Sequence, residues 1–272
     1  MPPVTIITAR TGWAGLGLGE LWTHRELLYF LVWRDLKVRY KQTFFGAAWA
    51  VLQPVLLMVV FTVSVGRIPG VGADRIPYPV FVLAGLVPWT LFSQGLTGAA
   101  NSLVGGEAII TKVYFPRLLM PVAAVTSFVI DLAVSVVVLA VMVVAFGVPA
   151  TPTMLWLPVM TLLTIMSALG LGTFFAAVNV RYRDVKYVVP FMVQLLMFAS
   201  PVVYSTTLIP EQWRLVYALN PMAGAIEGFR WAIVGGPPPV QDLAVSTLTG
   251  LLILAGSLLY FRRVERGFTD VI

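Results

Sequence analysis

Six apolar runs of about twenty residues or more, four without charge and two carrying a single aspartate (Asp131 and Asp242), are separated by more polar stretches. They lie near 46–66, 79–100, 118–146, 154–178, 187–204 and 241–261. A helical pass through a bilayer needs about 20 apolar residues, so each run reads as one membrane span. The longest stretch without Asp, Glu, Lys or Arg, Leu132 to Val180, holds two passes, with Gly147, Pro149 and Pro152 where the chain turns. The expected fold is an all-α membrane protein with six transmembrane helices. Residues 1–22 form a flexible N-terminus, 23–45 an amphipathic interface helix, and 46–272 the six-span domain.

Three segments break this regularity. The first follows Thr23, which with Glu26 has the spacing of a capping box. Tyr29, Trp33, Leu36 and Tyr40 then share one helical stripe, and Leu27, Leu31 and Val38 a second, with charge between them. Such a helix cannot span but can lie in the interface, its basic residues at the headgroups and its second stripe against protein. The second segment runs from Asn101 to Arg117. Gly105 and Gly106 end the second span, and a short apolar helix stopped by Pro116 follows. A cytoplasmic partner would bury its Ile109, Ile110 and Val113. The third, Ser205 to Pro239, is divided by Pro210 and Pro221. It reads as two short helices that dip into the outer leaflet without crossing, their broken backbone against protein or water. Glu227 and Arg230, three apart, can pair on one helical face.

Charge sets the orientation. The chain is 59% hydrophobic and 11% charged, with net charge +6. In a soluble protein that balance would suggest nucleic acid, but here placement matters more, and no nucleic-acid partner is expected. The inner segments carry Arg10, Arg25, Arg34, Lys37, Arg39, Lys41, Lys112, Arg117, Arg181, Arg183, Lys186, Arg262, Arg263 and Arg266. The outer segments carry only Arg67, Arg75, Arg214 and Arg230. The asymmetry puts both termini in the cytoplasm and the protein in the cytoplasmic membrane.

Candidate chemistry is sparse. With no cysteine and one histidine, His24, there is neither a disulfide nor a thiolate metal site. The N-terminal glycines Gly12, Gly15, Gly17 and Gly19 lack the Gly-Lys-Ser/Thr of a phosphate loop. No residue set supports catalysis, so any work done here takes its energy from elsewhere. Asp131, in the middle of the third span, has to face the bundle or water. It reads either as a polar contact on a transport route or as a hydrogen bond between helices. Two aromatic stripes stand out. Tyr78, Phe81, Trp89 and Phe92 share a face of the second span; Tyr187, Phe191 and Phe198 share a face of the fifth with Gln194. Aromatic faces pack on the C–H faces of sugars and amides bond hydroxyls, so either stripe could line a sugar route, or simply pack. Ala168, Gly172 and Ala176 form a small-residue seam for close helix packing.

Four stretches in order carry a resemblance. They are Arg34-Asp35-Leu36-Lys37-Val38-Arg39-Tyr40-Lys41, Lys112-Val113-Tyr114-Phe115-Pro116-Arg117, Arg183-Asp184 with Phe198-Ala199-Ser200-Pro201-Val202-Val203-Tyr204, and Leu219-Asn220-Pro221 with Glu227 and Arg230. From residue 23 to its end the chain resembles the membrane subunit of type-2 ATP-binding-cassette exporters, in the branch that exports O-antigen, capsule and teichoic acid polysaccharides. The resemblance implies a homodimer around a central conduit lined by aromatics. It implies two copies of a separate cytoplasmic ATPase, which hold ATP and Mg, with no cofactor on this chain. It implies that 101–117 is the coupling helix, where Glu107, Ile109, Ile110, Lys112, Tyr114 and Arg117 meet the ATPase, and that 205–236 are re-entrant helices. Its cargo is a lipid-linked glycan, whose pyrophosphate would meet Arg34, Lys37 and Lys41. An exporter of a small lipid or drug would share this fold, and the residues alone also leave open an ATP-independent channel or a structural membrane protein.

Overall fold

A computed structural model describes residues 18–41, 48–66 and 76–267. The expectations for residues 1–17, 42–47, 67–75 (with Arg67 and Arg75) and 268–272 lie outside this set. The described residues are helical with no strand: α1 (Leu18–Thr23), α2 (Arg25–Tyr40), α3 (Ala48–Ser64), α4 (Tyr78–Gly105), α5 (Glu107–Ile110), α6 (Leu119–Ala145), α7 (Leu157–Arg181), α8 (Val185–Phe198), α9 (Glu211–Ala218), α10 (Pro221–Val234) and α11 (Val240–Val264). Four helices are long and apolar enough to cross a bilayer: α4, α6, α11, and α7 with the 3-10 turn Pro152–Trp156 that leads into it. The apolar helices α3 and α8 are shorter, at 17 and 14 residues.

Several boundaries depart from the sequence expectation. Residues 18–22 are helical, where a flexible N-terminus was expected. The capping box at Thr23 does not form. Thr23 Oγ1 donates to the Gly19 carbonyl at 2.9 Å, closing the last turn of α1, and His24 stands as N-cap of α2. Helix α4 continues through Asn101–Gly105, beyond the expected loop start at Asn101, and breaks at Gly105–Gly106 as those glycines suggested. Nothing before Gly105 stops it, and Asn101 and Ser102 bond carbonyls of their own preceding turn. Helix α8 ends at Phe198 instead of 204. Pro201 has no N–H to continue the helical ladder, and the Val202 N–H turns back to the Ser200 carbonyl at 2.7 Å.

Helix α4 is the centre. Its most apolar stretch is 78% buried within the protein, against 17–33% for the other three long helices. From Val80 to Trp89 every residue is buried. Helices α3, α6, α7, α8 and α10 all pack on it. The closest approach is to α7. A Cβ on Gly172 would stand 2.6 Å from that of Ala99, and Ala168 and Ala176 of the same seam are fully buried. Small residues let helix backbones approach where no hydrophobic force separates helix from lipid. At one end of the bundle a second core, the inner core in the expected orientation, joins α2, α4, α5, α6, α7 and α11 through Leu31, Leu103, Ile110, Leu119, Ala177 and Phe261.

At the opposite end the expected pair of short helices is present as α9 and α10. Asn220 and Pro221 start α10 as N-cap and first turn: Asn220 Oδ1 accepts from Met222 N at 3.0 Å, and its amide donates to Ala199 O and Ser200 Oγ. The turn after α6 uses Gly147 at φ +66°, a left-handed conformation other residues adopt only with strain.

The α4–α7 contact yields a test. Gly172→Leu forces the helices apart and should destabilise the fold by about 1–3 kcal/mol or more. Gly256→Leu, where a new Cβ meets nothing within 4 Å, should leave the thermal midpoint in detergent unchanged.

Candidate functional site

The two aromatic stripes have opposite fates. Phe81, Trp89 and Phe92 of α4 are 2%, 5% and 1% exposed. The Phe81 ring carries the Arg230 guanidinium at 3.6 Å, and Trp89 leans on Phe92 at 5.4 Å between centroids. Tyr78 donates its hydroxyl to the Val203 carbonyl at 2.8 Å. The second-span stripe is therefore packed in the interior of the protomer, which closes over this side of α4. On α8, Tyr187, Phe191 and Phe198 are 70%, 62% and 67% exposed, and Gln194 is exposed with them. The helix seats Val185 and Val189 in the core and presents this stripe outward.

Asp131 is taken up by the N-terminal helix. Arg39 Nη1 donates to Asp131 Oδ2 at 2.5 Å and Nη2 to Ser127 Oγ at 2.8 Å, while the guanidinium lies 3.7 Å from the Phe128 ring centre. Tyr40 donates its hydroxyl to Asp131 Oδ1. Burial first, then the bond to Asp131, push the Tyr40 phenol up to about 12, so it remains a donor at neutral pH. Of the two readings of Asp131, the inter-helix bond is the one observed. A carboxylate in mid-helix needs a cation, and Arg39 supplies it from the opposite side of α2 to Arg34 and Lys37. That opposition was visible in the sequence, though the pairing was not.

The remaining face of α2 is open. Arg34 pairs with Asp35 at 2.8 Å, Lys37 stands 5.5 Å over Trp33, and Lys41 is exposed. Tyr29, Phe30 and Trp33 are also exposed. The assumed inner stripe changes: Leu36 is buried with Leu31, whereas Val38 is 76% exposed.

The 106–118 segment splits differently from expectation. Ile110 is already buried and Ile109 half-buried against the chain's own inner core, so a partner has no need to cover them. Arg117 is held at the end of α11, its backbone N–H on Glu265 Oε1 at 3.3 Å and its guanidinium on the Glu265 carbonyl. What projects is the tip, with Tyr114 90% and Val113 54% exposed, flanked by exposed Glu107 and Lys112.

Arg230 is the largest surprise. It is 4% exposed and pairs with Glu227 at 3.2 Å, as the spacing suggests. It also donates to the carbonyls of Val202 at 2.7 Å, Tyr204 at 3.1 Å and Phe81 at 3.4 Å. A second unread feature is a polar row on α4, Thr90, Ser93, Gln94, Thr97 and Asn101, all half-exposed. Its helical spacing was the signal that could have found it.

The family model described as ABC-2 type transporter matches residues 26–234. The chain is 31% identical to an O-antigen export system permease protein RfbA of Myxococcus xanthus, over 90% of this chain and 95% of the relative. It is 26% identical to a Klebsiella pneumoniae protein of the same name, over 91% and 95%. It is also 26% identical to the polysialic acid transport protein KpsM of Escherichia coli, over 87% and 93%.

The Arg39–Asp131 tie is testable by a double-mutant cycle. Asp131→Leu strands a partly buried arginine and should cost about 1–3 kcal/mol. Arg39→Met combined with Asp131→Leu should recover much of that loss in thermal unfolding. Additive losses would mean the two side chains are not coupled.

Proposed function

Because this chain belongs to the ABC-2 type transporter family, we propose that it is the membrane subunit of an ATP-driven exporter that moves a lipid-linked polysaccharide outward across the inner membrane. The observation that carries this reading is end-to-end similarity to permeases of O-antigen and polysialic acid export. It favours glycan over a small lipid or drug. The chain is a multi-pass inner-membrane protein. As a transporter permease it works with an ATP-binding partner, and in our reading that separate subunit holds ATP and Mg.

A filled protomer supports a route between two copies. With α4 enclosed, sugars have no way through one chain, and the exposed α8 stripe becomes one half of a wall that a second copy completes. In this reading α3 and α8 cross the bilayer with the four longer helices, giving six spans with both termini inside. α9 and α10 are re-entrant from the outer side. α2 is the interface helix, and α3 to α11 belong to the six-span domain. The ATPase seats on the Val113–Tyr114 tip. Its closure on ATP pushes the tip, and the push passes through Ile110 to the inner core and through Arg117 to α11. Lys37 and Lys41, with Arg34 beside them, face the pyrophosphate of the incoming lipid, as mobile cations suit a phosphate.

Two outcomes are expected. Phe191→Ala with Phe198→Ala should lower glycan export roughly tenfold, if each ring face contributes about 0.5–1.5 kcal/mol, while dimer formation stays intact. Tyr114→Asp should abolish copurification of the ATPase or its stimulation by this subunit. Normal export from the first variant would remove α8 from the route, and normal coupling in the second would move the motor contact elsewhere.

A further inference from the structure

The polar row on α4 is placed where a packing role does not explain it. Taken at about 100° per residue, Thr90, Ser93, Gln94, Thr97 and Asn101 fall within an arc of about 100° and extend roughly 16 Å along the helix. The aromatic positions Phe81, Trp89 and Phe92 are centred on the other side, and those are the ones the protomer buries. The polar row stays half-exposed, and Gln53 of α3 stands exposed beside it, its Oε1 accepting from Gln94 Nε2 at 3.0 Å. Amides and hydroxyls on the outside of a spanning helix are unfavourable against hydrocarbon. They belong against water or a polar cargo.

The hydrogen bonds give the row a chemical sense. Ser93 Oγ donates to the Thr90 carbonyl at 3.2 Å, and Thr97 Oγ1 to the Ser93 carbonyl at 2.8 Å. Each hydroxyl proton is thus turned back to its own helix, and the oxygen faces outward as an acceptor. Gln94, having donated to Gln53, also offers its carbonyl oxygen. The Asn101 amide donates to the Thr97 carbonyl at 2.9 Å, and its oxygen accepts from Asn179 at 3.2 Å. The outward surface is acceptor-rich, with the Gln53 amide nitrogen as a donor. Neither α3 nor α4 contains a charged residue. Sugar hydroxyls can donate into such a surface. An ionised carboxylate, which only accepts, would meet like-directed dipoles and no cation.

We propose that Gln53, Ser93, Gln94, Thr97 and Asn101 form a hydroxyl-binding wall of the substrate route, suited to an uncharged glycan over an acidic one. This rests on the reading of the chain as a polysaccharide exporter and adds the class of glycan. α8 packs against α4, so its exposed rings and this wall would address different faces of one sugar. Neutral hydrogen bonds hold a cargo weakly enough to let it go.

The chain has no cysteine, so it is its own background for thiol labelling. In the full complex with its ATPase in lipid nanodiscs, single variants Gln94→Cys, Thr97→Cys and Asn101→Cys would be exposed to a charged, membrane-impermeant methanethiosulfonate. Leu252→Cys, on an exposed apolar face of α11, serves as the lipid-facing reference. The wall positions should react at least an order of magnitude faster than Leu252→Cys. Excess maltoheptaose should slow that reaction several-fold, and an oligogalacturonate of similar length should not. Labelling no faster than at Leu252→Cys would overturn the wall, because the row would then face lipid or protein. Equal or stronger protection by the acidic oligomer, or none by either, would overturn the glycan class. Failure of the exporter reading itself would show separately, as a water-exposed wall in a chain that recruits no ATPase.

Discussion

How tightly α4 is enclosed governs the rest of the molecule. Ala99 meets Gly172 with no room for another methyl group, whereas a Cβ on Gly95 would meet Ala168 only at ordinary contact distance. Lipid is as apolar as leucine, so spanning helices associate through close packing and polar bonds, without a hydrophobic drive between them. α4 meets that condition over most of its circumference. The consequence is functional: a protomer whose centre is a buried helix has no interior passage. In the proposed exporter a polar cargo then uses the outer surface, along the faces of α3, α4 and α8 left open there.

The two ends of this bundle are secured by different charges. On the outer side Pro201 stops α8 early and leaves carbonyls that no helix satisfies. A buried unbonded carbonyl costs several kcal/mol in a membrane interior, and Arg230 removes that cost at Val202 and Tyr204 while its plane lies on Phe81. Arginine fits because its five donors are fixed in one plane. On the inner side Arg39 and Tyr40 fasten α2 to Asp131 of α6, and Ser135 of α6 reaches the Ala50 carbonyl of α3. Ile110 and Phe115 of the 106–118 segment share one core with α2, α6 and α11.

The hydrophobic pattern located every long helix within a few residues, because in a bilayer each span must satisfy its backbone internally and announce itself by composition. It located α9 and α10 through Pro210 and Pro221, and the Glu227–Arg230 pair through helical spacing. It erred where a stop signal was local. Helix α4 ran past Asn101 because polar side chains there bond their own helix, and Thr23 found a carbonyl of α1 in place of a cap.

The sequence by itself determined the membrane class, the helix order and the seam at Ala168, Gly172 and Ala176. Each of these follows from properties of single segments. Which side of α4 turns inward was decided only by tertiary packing, because aromatic and polar stripes are equally periodic and either could have faced the route. The same holds for Asp131, whose meaning changed once Arg39, 92 positions away in the chain, was placed beside it. Periodicity states that a helix has faces. Neighbours distant in sequence assign those faces to core, to partner or to cargo.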